Sequence, residues 1–79
     1  MVELKPLIDE ELTKIFEESK NAGQSYIDII SRDLHNRLGF VNRYPAVCNG
    51  MRAMMKTGDV ILEKPPKGDG AKLKVRYFL

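Results

Sequence analysis

Three observations predict an α+β domain built from three helices and a small three-stranded antiparallel sheet. Apolar residues recur at helical spacing from Ile8 to Phe16 and again from Val47 to Met55. A short β-branched and aromatic run, Tyr26–Ile29, separates the first of these from a further short helix, and everything after Gly58 reads as a hairpin. With 79 residues, 43% of them hydrophobic and 30% charged, the chain has the balance of a globular protein and room for one domain, spanning residues 1–79. A domain this small buries only roughly 60% of its unfolded surface, so these few elements must share a single core.

The first helix rests on Ile8, Leu12, Ile15 and Phe16, which fall at i, i+4, i+7 and i+8 and share one face. Glu10, Glu11, Lys14, Glu17 and Glu18 occupy the other faces. Acidic residues cluster in its expected first turn, where the helix dipole favours them, and Asn21-Ala22-Gly23 supplies the stop. The run Ser25–Ile30 is too short for a stable helix and rich in residues that suit a pleated surface, so Tyr26–Ile29 is read as a strand. Ser31 then stands as the N-cap of a second helix, with Asp33 in the first turn, Leu34 and Leu38 on one face and Gly39 at the end.

Pro45 decides where the third helix begins. Proline disfavours the α conformation in the residue before it, which makes Tyr44 extended and Pro45 the first helical residue. From there Val47, Cys48, Met51, Met54 and Met55 form an apolar face, opposite Ala46, Asn49, Arg52, Ala53 and Lys56, and the helix is expected to run to Lys56. The hairpin follows: Asp59–Lys64 is β-rich, Pro65-Pro66-Lys67-Gly68-Asp69-Gly70 is turn chemistry, and Ala71–Leu79 alternates. Leu73, Val75, Tyr77 and Leu79 point to one side of that last strand, and Lys72, Lys74 and Arg76 to the other, giving one packing face and one basic face.

The formal net charge of +2 conceals a division. Residues 1–39 hold five Lys and Arg against eight Asp and Glu, a balance of −3; residues 40–79 hold eight against three, a balance of +5. Such asymmetry points to a polyanionic partner for the C-terminal half.

Helix, short strand, helix, helix, strand, loop, strand resembles the winged helix-turn-helix fold. The residues that carry the resemblance are the Tyr26–Ile29 strand before Ser31-Arg32-Asp33-Leu34, the Pro45–Lys56 helix, and the Gly58–Leu79 hairpin with its Pro-Pro-Lys-Gly-Asp-Gly loop. One departure is the Gly39–Tyr44 connection, longer than the roughly three or four residues of a tight helix-turn-helix turn. The resemblance implies a small transcriptional regulator that binds double-stranded DNA sequence-specifically, with Pro45–Lys56 as recognition helix in the major groove and Lys64–Lys72 as the wing. Arg43, Tyr44, Asn49 and Arg52 would then face the bases, Arg and Asn being suited to guanine and adenine edges. Lys56, Lys64, Lys67 and Lys72 would meet phosphates. A homodimer would engage two half-sites, with the first helix as a candidate dimer surface.

Other chemistries find little footing. One Cys excludes an internal disulfide, and one His with one Cys falls short of a four-ligand zinc site. Gly68-Asp69-Gly70 lacks the Lys-Ser/Thr of a phosphate-binding loop, and Asp9, Glu10 and Glu11 are consecutive and so diverge. No enzyme and no cofactor is expected. The methionines read as core filling and Cys48 as a buried thiol. No apolar run approaches a membrane span and the first residues do not form a signal peptide, so the expected address is the cytoplasm. The alternative function is a winged-helix module that binds protein, or a subunit of a nucleic-acid-processing complex, using the acidic first helix and an exposed Phe78.

Overall fold

Helix α1 (Lys5–Asn21) is followed by strand β1 (Tyr26–Ile30), helices α2 (Ser31–Leu38) and α3 (Tyr44–Ala53), and strands β2 (Val60–Glu63) and β3 (Lys74–Phe78) in the computed structural model, which describes residues 4–66 and 70–79. The three strands form one antiparallel sheet in the order β1-β3-β2. Tyr26, Asp28 and Ile30 stand opposite Phe78, Arg76 and Lys74, while Val60 and Ile61 on the other side stand opposite Arg76 and Val75. This is an α+β fold with three helices and a three-stranded sheet, an arrangement compatible with a winged helix. No helix among the described residues is long and apolar enough to cross a membrane.

The core lies between the helices and one face of the sheet. Ile8 and Leu12 of α1, Leu34 of α2, and Val47, Cys48 and Met51 of α3 are buried against Leu73, Val75 and Tyr77. Each large apolar side chain so enclosed contributes about 1.5–3 kcal/mol. Tyr77 combines both kinds of interaction: its ring lies 4.8 Å from that of Phe16, and its hydroxyl donates to the Met51 carbonyl at 2.7 Å. The pattern of apolar residues therefore places the right faces inward. Met54 and Met55 complete the α3 side as half-buried neighbours of the core.

Several helix ends differ from expectation. α1 starts at Lys5 with Pro6 in its first turn, so the acidic residues at 9–11 lie beyond that turn. Ser31 is the first residue of α2 and not its cap, because Ile30 holds that position while the N–H groups of Ser31 and Arg32 donate to the carbonyls of Leu73 and Ala71. The hairpin thus supplies the acceptors that helix starts require. Tyr44 is helical, with Pro45 second in α3, and the helix ends at Ala53, leaving Lys56 outside it. The last strand alternates as expected, with Lys74 and Arg76 facing away from the core, and they share the solvent face of the sheet with Tyr26, Val60, Leu62 and Phe78, each 41–44% exposed.

The long connection between α2 and α3 keeps its own geometry. Gly39 closes α2 at φ 71, a left-handed conformation that favours glycine, and Asn42 takes φ 52 in the same connection.

Candidate nucleic-acid interface

The exposed side of α3 carries Asn49 and Arg52, placed one turn apart, and Arg52 Nη1 donates to Asn49 Oδ1 at 3.2 Å. From Arg43 to Gly58 the chain holds no acidic residue. Next to α3 opens a cleft of about 400 Å³ lined by Arg52, Ile61, Lys64, Pro65 and Leu73. A helix cation and a hairpin cation therefore border one concave surface. That surface can receive a ligand whose negative charges are spaced along it.

The hairpin is held to the helices at its return. The Gly70 carbonyl accepts from Ser31 Oγ of α2 at 2.6 Å and from Cys48 Sγ of α3 at 3.3 Å, and Ser31 Oγ also accepts the Leu73 N–H at 3.2 Å. Ser31 is fully buried, and its bond from the Leu73 N–H is shielded from competing water.

The other sequence-predicted residues are placed as follows. Arg43 precedes α3 with its backbone N–H donating to His35 Nε2 at 3.1 Å, and the residue is otherwise exposed. Tyr44 stacks on the His35 ring, centroids 4.1 Å apart and planes 12° off parallel, so its ring serves the corner between α2 and α3. Lys56 directs its ammonium to the Phe78 carbonyl and lies 3.6 Å from Asp59 Oδ1. Lys72 is exposed on the return of the hairpin. Lys67, with the Gly68-Asp69 part of the expected turn, lies outside the described residues. Of the predicted set, Arg52 and Lys64 line the cleft, and Asn49 is joined to it through its hydrogen bond from Arg52.

No known family, curated protein or solved structure matches this chain.

Three structural side chains escaped the sequence reading. His35 is buried between Tyr44 and Phe40; its Nε2 accepts a hydrogen bond, which puts the proton on Nδ1, and Nδ1 has no partner among the described residues. Asp59 is wholly shielded at its side chain and accepts from the N–H groups of Lys56 and Phe78, both at 2.9 Å. Burial pushes its carboxyl up, but those two N–H donors and the Lys56 ammonium outweigh it and hold the group below the usual carboxylate range. Asp28 is held low chiefly by two hydrogen bonds from Arg76, at 2.8 and 3.0 Å, and the Arg76 guanidinium also covers the Tyr26 ring at 4.3 Å. Burial, with the Asp59 charge nearby, raises the Tyr77 hydroxyl, which stays protonated and donating. The only legible signal among these was the Asp59 position just after Lys56-Thr57-Gly58, a spacing at which Asp side chains bond backbone in turns. Among the described residues no three His, Cys, Asp or Glu are grouped to hold a metal ion.

Proposed function

We propose that this chain is a winged-helix DNA-binding protein, a small transcriptional regulator that reads duplex DNA with α3 and braces it with the hairpin. The observation that carries the reading is the cleft that Arg52 of α3 and Lys64 of the hairpin line together, with Asn49 hydrogen-bonded to Arg52. Arg and Asn supply the two-pronged hydrogen bonds that distinguish guanine and adenine, and lysines on a flanking loop supply sequence-independent attraction. Asn49 and Arg52 are assigned to bases; Arg43, Lys64 and Lys72 are assigned to the backbone. Tyr44 and Lys56 leave the contact set, since stacking on His35 and bonding to Phe78 and Asp59 occupy them.

Titration against mixed-sequence duplex DNA at about 50 mM salt, where electrostatic binding is strong, tests the reading. Binding is expected, with Arg52→Ala and Asn49→Ala weakening it and relaxing sequence preference. Absence of detectable binding overturns the function. Binding that neither substitution alters overturns the assignment of α3 as the reading element.

A further inference from the structure

We propose that the free edge of β1 is a self-association site, at which a second copy of this chain adds its own β1 antiparallel to the first. The hydrogen-bond pattern of the sheet defines that edge. Leu79 N–H donates to Ser25 O and Ser31 N–H donates to Leu73 O, so residues 25, 27, 29 and 31 are those bonded to β3. The backbone N–H groups of Tyr26, Asp28 and Ile30 consequently point away from the sheet. Two open clefts, of about 490 and 450 Å³, run beside this edge, the first lined by Ile27–Ile30 with Asp33 and Arg37 of α2, the second by residues 23–28.

The two edges of the sheet are treated differently. β2 is interrupted by a register shift between Ile61 and Glu63 and is followed by Lys64-Pro65-Pro66, and bulges, charge and proline all discourage strand addition. β1 reads Tyr-Ile-Asp-Ile-Ile, without lysine, proline, glycine or bulge. Its single charge is neutralised by Arg76. One edge is guarded and the other is open.

A second copy is the occupant that fits, because the edge complements itself. A two-fold axis through Asp28 sets Tyr26 against Ile30 of the second copy, an aromatic and β-branched cross-strand pair of the kind that stabilises sheets. The two Asp28 carboxylates then meet with an arginine bonded to each. The exposed Tyr26, Val60, Leu62 and Phe78 would continue across the joined sheet. This surface replaces the first helix as the dimer surface, and its test does not depend on DNA.

Sedimentation equilibrium of the full chain from about 10 μM to about 1 mM is expected to show a monomer–dimer equilibrium. Hydrogen exchange followed by NMR is expected to show the amides of Tyr26, Asp28 and Ile30 slowed by at least about tenfold as the dimer fills. Ile30→Glu, whose carboxylate is matched within the chain by Lys74 directly opposite, should give a folded monomer by circular dichroism. A wild-type chain that stays monomeric at about 1 mM overturns the proposal and leaves a strand from another protein as the remaining occupant. A dimer in which those amides exchange freely, or one that folded Ile30→Glu forms equally well, overturns it too. Should Ile30→Glu fail to fold, the wild-type amides decide.

Discussion

Asp59 illustrates how one short side chain can join separate parts of the fold. Its two carboxylate oxygens take the N–H of Lys56 and the N–H of Phe78, tying the segment after α3 to the end of the central strand. Asp59→Asn keeps the shape and removes the charge, so it should lose about 1–3 kcal/mol in urea unfolding, the range for bonds to a charged acceptor. The pH dependence has a fixed sign. Asp59 and Asp28 are both held below their ordinary value in the folded chain, so the unfolded chain binds protons first as pH falls. The stability they contribute is complete above the unfolded value of about 3.9 and is lost as pH drops through the folded values. Melting temperature should therefore fall below about pH 4, less steeply in Asp59→Asn. Little of this was legible in sequence. Apolar periodicity identifies which faces are buried, but it carries no information on Asp28 meeting Arg76 across 48 residues, or on Ser31 finding Gly70 across 39. The stacking of Tyr44 on His35 was hidden for the same reason: an aromatic beside Arg43 suits a nucleic acid as well as it suits His35, and only the fold brings that ring to 4.1 Å.

At the level of the helices, types, inward faces and the ends of α1 and α2 were readable, while the helix starts and the end of α3 were not. The i, i+4, i+7 spacing survives any choice of boundary, whereas an end depends on who takes the last backbone groups. α3 stops at Ala53, and Lys56, expected to be its last residue, gives its N–H to Asp59. At the other end Pro45 tolerates Tyr44 as a helical neighbour, since the constraint it exerts is a bias that packing on His35 overcomes. The crossing of α1 and α3 rests on one residue whose function the sequence did not reveal. A Cβ at Gly50 would stand 2.6 Å from Ile8 Cγ2, a branched and fully buried side chain with little freedom to turn. Alanine would gain about 1 kcal/mol of helix propensity and lose about 1–3 to overpacking. Gly50→Ala is therefore expected to destabilise on balance, by about 1 kcal/mol in urea unfolding. In an Ile8→Ala background the Cγ2 clash is removed and only the tight 3.3 Å approach to the Cβ of residue 8 remains, so the same substitution should cost measurably less. A cost that persists unchanged in that background would locate the constraint elsewhere.

Across the whole molecule, the acidic first half and basic second half acquire a spatial meaning. Glu11 and Glu18 of α1 are engaged by Arg37 of α2, so part of the negative half is balanced within the helices. The basic half divides into cations bonded within the fold and others that the proposed function assigns to DNA. Arg76 is bound to Asp28, and Lys56 is bound to Phe78 and Asp59. Lys64 borders the cleft beside Arg52, and Lys72 is exposed. Sequence counts all of these as equivalent positive charges; their bonding separates them, and duplex binding offers a direct measure of the separation. Each phosphate neutralised contributes about −0.9 to the slope of log affinity against log salt. Lys64→Ala should reduce the magnitude of that slope by about 0.9 and weaken binding to every duplex alike. Lys56→Ala should leave the slope nearly unchanged and lower the melting temperature instead, because its ammonium works inside the protein. Slopes measured for the two variants in parallel, from about 50 to about 200 mM salt, distinguish a structural cation from a binding one. Equal losses of slope would show that Lys56 leaves Phe78 and Asp59 to join the phosphates.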